Sequence, residues 1–305
     1  MRLLVTGASG QVGWELARSL MPLGEVVAVD RNECDLARPQ DIPALIERIR
    51  PDIIVNAAAY TAVDKAEADE EQATLVNGTA VSMLAEAAKK ADALLIHYST
   101  DYVFDGTKAA AYTESDEPCP AGAYGRSKLA GEQAIRQSGC DHLILRTSWV
   151  FASRGHNFVR TMLRLAQERK ELRVIDDQIG APTWARNIAD ATAHIIRQAQ
   201  QERQQHNFDS GVFNLASAGE TSWHGFTRAI LDGAAQRGLL SPERLPQLHP
   251  IPTEAYPLPA PRPKNSRLAG DKLHRRFGIT QPSWRDALAR CLDEYMEHRG
   301  HEGGN

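Results

Sequence analysis

The chain has 305 residues, 42% of them hydrophobic, and a formal charge of −4. That length supports one large domain or two lobes about a shared cleft, and the lack of a basic excess argues against nucleic acid as a partner. Cys34, Cys119, Cys140 and Cys291 are spaced too widely for a zinc site or a disulfide framework, and no stretch approaches the ~20 apolar residues of a membrane span. The opening "MRLLVTGASG" runs straight into turn glycines without an apolar core of signal-peptide length, so a cytoplasmic protein with no membrane partner is expected.

"RLLVTG" reads as a strand that leads into Gly7, Gly10 and Gly13 and then a helix to about Leu20. Glycines at such a junction permit a tight turn and let a pyrophosphate approach the backbone, while the helix N-terminus around Gln11 and Val12 supplies free N–H groups. A second strand, "EVVAVD", ends in Asp30 about twenty residues on, where an acid can hold the ribose hydroxyls of a dinucleotide. Asp30 repels a 2′-phosphate and Arg31 attracts one, which leaves NADH and NADPH both open. Asp35 and Leu36 in "CDLARP" fall near the adenine. The third strand, "DIIVNAAA", brings Ala57 to Ala59, Tyr60 and Thr61 past the cofactor, although the alanines serve equally well for packing the sheet against a helix.

The helix "VSMLAEAAKKA" precedes the strand "ALLIHYST", whose carboxyl end carries Ser99, Thr100 and Asp101, the place where open α/β sheets hold ligands. His97 lies inside that apolar strand and reads as a hydrogen-bonded core residue. "YGRSKLAGE" then opens a helix with Tyr124 and Lys128 four residues apart, on one face and roughly 5–6 Å apart at Cβ. An ammonium so placed favours the phenolate and brings a pKa of about 10 down toward neutrality, which yields a usable proton donor. A fifth strand, "HLILRTSW", ends at Trp149, a residue suited either to stacking on a ring or to core packing.

Short runs that are apolar throughout, separated by helices, predict a parallel sheet covered on both faces: an α/β fold, Rossmann-type and doubly wound, over residues 1–150. Beyond residue 150 the rhythm changes to a helix "NFVRTMLRLAQERKE", a loop "DDQIGAPTW", a helix from Arg186 to about Gln200 and a strand "VFNLAS". The helix and strand around 186–216 are expected to return to the sheet, and 151–185 with 217–305 to form a smaller C-terminal substrate-binding lobe. "IPTEAYPLPAPRPKNSRL" concentrates prolines and predicts an extended loop.

Three glycines after the first strand, a Ser/Thr ending a middle strand and a downstream Tyr-x-x-x-Lys resemble the extended short-chain dehydrogenase/reductase superfamily. Within it, "GQVGWEL", "NAAAYTAVDKAE", "HYSTDYVFDG", "YGRSKLAGE", "RTSWV", "NFVRTMLRLA", "DQIGAPTWA" and "RPKNSRL" resemble the dTDP-4-dehydrorhamnose reductase family over nearly the full chain. That resemblance implies reduction of the C4 ketone of dTDP-4-dehydro-β-L-rhamnose to dTDP-L-rhamnose by hydride from NADPH or NADH, the last step in making that sugar donor for cell-surface polysaccharide. It implies Tyr124 as the acid, Lys128 as the ligand of the nicotinamide ribose and Thr100 as a hydrogen-bond donor to the carbonyl oxygen. Ser99 then belongs to the cofactor site, and Asp101, Trp149, Asn157 and Arg262 to the sugar-nucleotide site, with Lys264 and Asn265 beside them.

Related dehydratases carry Glu directly after the Asp of the strand-end segment, whereas Tyr102 stands there in this chain, which favours simple reduction. Some members of the reductase family dimerise through magnesium, to which Glu15 corresponds. Arg186, however, occupies the position of a second acidic ligand and repels such an ion. No resident metal and a monomer or weak homodimer are therefore expected. Two rival readings remain open at this point: a non-catalytic nucleotide-sensing regulatory subunit, and a sugar-nucleotide epimerase or dehydratase.

Overall fold

The structure is a computed structural model and describes residues 1–302. Its centre is a six-stranded sheet built from β1 (Arg2–Thr6), β2 (Glu25–Val29), β3 (Ile53–Asn56), β4 (Leu94–Thr100), β5 (His142–Thr147) and β7 (Gly211–Asn214). The order is β7-β5-β4-β3-β1-β2 and every pairing is parallel. Chain progression reverses beside β1, which has β2 on one side and β3 on the other, and the crevice above such a reversal is where this architecture binds ligands.

The apolar strands are buried because helices cover both faces, and side chains alternate between two cores with a period of two. Leu3, Val5, Ile53 and Val55 face one core with α1 (Gln11–Ser19) and α6 (Ala185–Gln204); Leu4 and Ile54 face the other with α2 (Ile42–Ile49) and α3 (Ala80–Lys90). Helix α4 (Ala123–Ser138) packs beside α3 and ends at Gly139, whose φ of 69° closes the helix in the left-handed conformation that glycine adopts at low cost.

A third core gathers Phe151, Val159, Leu163, Trp184, Phe226, Ile230, Trp284 and Leu288. It joins α5 (Phe158–Glu168), α7 (Trp223–Gln236) and α9 (Trp284–Glu302). The helix expected through Glu171 stops at Glu168, and Glu171–Ile175 forms β6 instead, paired in parallel with β8 (Gln247–Ile251). The reason is legible in burial: Leu172 and Val174 point inward while Glu171 and Arg173 are exposed, an alternation that satisfies a strand and not a helix.

The proline-rich stretch after β8 is irregular, with a short 3₁₀ turn at Thr253–Ala255, and is tied down by side-chain bonds. Asn265 Nδ2, for instance, donates to the carbonyls of Lys108 (2.6 Å) and Ala110 (2.8 Å). No helix among the described residues is long and apolar enough to cross a membrane.

Candidate active site

The glycine turn forms one wall of the cleft. Gly7 has φ 72°, and a Cβ there would lie 2.7 Å from the Ala58 nitrogen; a Cβ on Gly13 would lie 2.1 Å from the Gly7 carbonyl oxygen. Both residues must lack side chains for the turn to press against the end of β3 and for α1 to start beneath it. Gly10 is the N-cap of α1 and supplies no side-chain cap, so the first amides of α1 around Gln11 and Val12 stay available to an anion. Gln11 Oε1 is buried there without a partner. This cradle fits a dinucleotide pyrophosphate.

At the end of β2, Asp30 uses Oδ1 to accept from Asn32 N at 2.8 Å, and Arg31 projects into solvent with its Nε 3.4 Å from Asp35 Oδ1. Leu36 is buried in the second core, and so contributes shape to this corner more than contact area. Past β3, Ala57, Ala58, Ala59 and Tyr60 are half-buried and Thr61 is exposed. Tyr60 is clamped from both sides: its N–H donates to Asn77 Oδ1 at 2.9 Å, and Asn77 Nδ2 donates to its carbonyl at 3.0 Å and to Ser127 Oγ at 3.0 Å. Asn77 stands in a π-helical turn, Leu75–Thr79, and that widened turn is what lets it reach both the loop and α4. Sequence reasoning passed over Asn77; an asparagine inside an otherwise helical run was its only signal.

Thr100, Tyr124 and Lys128 meet where β4 ends and α4 begins. Thr100 and Asp101 are nearly fully buried, and the Thr100 hydroxyl donates to Asp101 Oδ1 at 3.1 Å and accepts from the Tyr102 backbone N–H at 3.2 Å. Burial pushes the Asp101 carboxyl up to about 6, opposed by hydrogen bonds from Ser266 and Thr100. The edge of one ring, Tyr102 or Tyr124, meets the face of the other at 5.5 Å between centroids. Ser99 Oγ is buried without a partner.

One expectation about the Tyr–Lys pair needs correction. Burial raises the Tyr124 phenol above its ordinary value, the Asp101 charge adds to that rise, and only the Thr100 hydrogen bond opposes it. Lys128 does not hold it down, because its Nζ donates to the Tyr98 carbonyl at 2.7 Å and lies 3.3 Å from His97 Nε2, buried under β4. Lys128 is itself depressed by burial to about 8.

Just past β5, Trp149 lies flat on Trp223, with centroids 3.6 Å apart and planes 11° apart, and Gly180 leaves room for its indole. Its φ of 49° is unusual for a bulky residue and costs of order 1–3 kcal/mol, a strain that accumulates at ligand sites. Arg262 pairs with Asp64 (2.8 Å), has its guanidinium 6.0 Å from the Tyr102 ring centroid, and keeps a buried Nη1 without a partner. Asn157 is engaged within its own segment, where it caps α5 by accepting from Arg160 N while its Nδ2 donates to the carbonyls of Ala152 and Arg154. Lys264 is an exposed partner of Asp177 and Glu254, and Asn265 is spent on the backbone anchors described above.

Glu15 is buried where α1, α6 and α9 converge, with burial and Glu294 raising its carboxyl and Arg186, Arg18 and Arg154 opposing them. Arg186 Nη1 sits 3.0 Å from Glu294 Oε1, and the Arg18 and Arg154 guanidinium carbons each lie 3.4 Å from the Trp14 ring centroid. This donor set does not fit a divalent cation: guanidinium groups already neutralise the carboxylates and offer no lone pair.

An all-parallel doubly wound sheet, a glycine turn on the first helix and a Thr–Tyr–Lys group at the carboxyl end of β4 define a Rossmann-type oxidoreductase of the short-chain dehydrogenase/reductase kind. Residues 1–297 match the family described as the RmlD substrate binding domain, and the chain belongs to that family. It is 54% identical to the dTDP-4-dehydrorhamnose reductase of Burkholderia thailandensis over 97% of this chain and 99% of that protein. To the enzyme of the same name from Salmonella typhimurium it is 46% identical over 96% and 98%. The crystal structure of dTDP-4-dehydrorhamnose reductase from Bacillus anthracis in complex with NADP superposes with a TM-score of 0.85 at 33% identity, covering 96% of this chain and 99% of that one.

Proposed function

We propose that the chain is an NAD(P)H-dependent reductase of the C4 ketone of dTDP-4-dehydro-β-L-rhamnose, forming dTDP-L-rhamnose. The observation that carries this reading is the grouping of Thr100 at the carboxyl end of β4 with Tyr124 and Lys128 one turn apart at the start of α4, and Arg262 over the Tyr102 ring that meets Tyr124. Relatives of the same name that are collinear over the whole length support it. The bound cofactor supplies a hydride to the ketone carbon. Thr100 and Tyr124 both hydrogen-bond the ketone oxygen, and Tyr124 gives up its proton as negative charge develops there. The raised pKa of Tyr124 does not impede this, since the phenol is protonated at neutral pH and an alkoxide is a stronger base than a phenolate.

Arg262 Nη1 provides a charged donor for the diphosphate, Trp149 a flat wall for the deoxysugar, and residues 151–185 and 217–305 the substrate-binding lobe. The anion cradle at α1 takes the cofactor, with Asp30 and Arg31 leaving NADPH and NADH both usable. The test is a coupled assay with the purified chain and the 4-keto sugar nucleotide. Consumption of reduced nicotinamide with formation of dTDP-L-rhamnose is expected with either cofactor. Product formed without net cofactor consumption points to an epimerase or dehydratase, and tight cofactor binding without turnover to a regulatory subunit; either overturns the reading.

The protein acts as a monomer or weak homodimer independent of magnesium, because Arg186 already counters the Glu15–Glu294 charge. Sedimentation is expected to be the same with and without a chelator, and a chelator-sensitive dimer would refute this.

A further inference from the structure

Beneath Lys128 runs a chain of buried polar side chains with a readable direction. Thr6, Asn56, His97 and Lys128 are all at most 2% exposed. Asn56 Oδ1 accepts from the Ala58 backbone N–H at 3.2 Å and from Thr6 Oγ1 at 2.6 Å. A backbone amide can only donate, so this end of the Asn56 side chain is the oxygen and the other end is the NH₂ group. That NH₂ lies 3.0 Å from His97 Nδ1, which must therefore accept. A neutral imidazole with a bare Nδ1 carries its proton on Nε2, and Nε2 lies 3.3 Å from Lys128 Nζ. Lys128 in turn donates to the Tyr98 carbonyl at 2.7 Å. An ammonium has three protons and no lone pair, so it would meet the Nε2–H proton to proton. An amine accepts from Nε2–H and still donates to Tyr98.

We propose that His97 is a positioning residue which presents a donor to Lys128 and thereby favours its amine form, rather than leaving it a permanent cation. This rests on the reductase reading above only for its consequence in turnover. Burial acts in the same direction on both groups: it depresses Lys128 to about 8, and it keeps His97 well below the ordinary histidine value, with the nearby Lys128 charge adding to that effect.

The opposing influence is Glu132, one turn further along α4, which favours the charged lysine but is itself paired with Arg146 from β5. From β4 the facing groups are His97 and the Tyr98 carbonyl, with the neutral Asn56 of β3 on the far side of the His97 ring. A group that titrates near the working pH can both give and take a proton. For Lys128 that exchange takes place beside His97 Nε2 and the Tyr98 carbonyl, its hydrogen-bond partners. Its protonated form is lost as pH rises through about 8, so kcat/KM should fall above that pH.

The test has a direct reading and a kinetic one. In ¹⁵N-histidine spectra of the wild-type protein, His97 is expected as the Nε2–H tautomer across the neutral range, and ¹³Cε-lysine titration should show one lysine ionising near 8. An Nδ1–H tautomer, or a Lys128 that titrates with ordinary lysines, overturns the proposal without recourse to any variant. His97→Asn keeps an acceptor for Asn56 but cannot reach Lys128; it should raise both the Lys128 titration and the basic limb of the kcat/KM profile by about one pH unit. His97→Gln restores a donor near the Nε2 position and should return both toward wild type. If both variants lose activity with an unmoved Lys128 titration, His97 is only structural and the proposal fails. If the spectra behave as stated while wild type reduces no keto sugar, the reductase reading fails and the Lys128 inference stands.

Discussion

Tyr124→Phe is expected to reduce kcat/KM for the keto sugar by about 10²–10⁴-fold while leaving dinucleotide affinity nearly unchanged. The phenol hydroxyl is the only part removed. The ring stays, so its packing against Tyr102 in the edge-to-face pair (5.5 Å) and against Ala66 and Ala123 persists. The glycine cradle and the Asn77 clamp on Tyr60 lie on other elements and are untouched. What is lost is the hydroxyl that, on the proposed reading, gives its proton to the developing alkoxide. Cofactor titration by fluorescence together with steady-state kinetics separates the two effects, and turnover within a few-fold of wild type would remove Tyr124 from the mechanism.

The largest stability effect is expected at the ion pair behind the site. Arg146 on β5 and Glu132 on α4 are 2% and 1% exposed at their side chains and bond through two contacts, Nε–Oε1 at 2.9 Å and Nη2–Oε2 at 2.6 Å. The guanidinium also lies 5.0 Å from the centre of the Phe104 ring. Removing one partner leaves a charge in a low-dielectric interior, so Arg146→Met should cost about 3–5 kcal/mol, a large share of the roughly 5–15 kcal/mol that stabilises an ordinary domain. Arg146→Met combined with Glu132→Gln should recover most of that loss, because no unpaired charge then remains. Urea denaturation of the two variants measures the difference. Equal destabilisation by the single and double changes would show that packing of the arginine stem, and not the charge, holds α4 to β5.

Much of this molecule follows from local pattern. The apolar runs at Leu3–Val5, Ile53–Val55 and Leu94–Ile96 could be strands of a covered parallel sheet and little else, and glycines at 7, 10 and 13 could only close a turn against a neighbouring backbone. Tyr124 and Lys128 share a helix face because their spacing is one turn. Local pattern erred where a periodic run changed character, as at Glu171–Ile175, and it gave no sign that Asn157 serves as a helix cap.

The sequence by itself therefore determined the fold class, the glycine turn and the one-turn spacing of Tyr124 and Lys128, since each depends on neighbours a few residues away. The tertiary structure alone decided how those side chains ionise. Whether a phenol is raised or lowered, and whether a lysine is a fixed cation or a titrating amine, depends on burial and on partners such as His97, Asn56 and Tyr98, brought together from separate strands. Desolvation acts through the whole surrounding volume, which no short stretch of chain encodes.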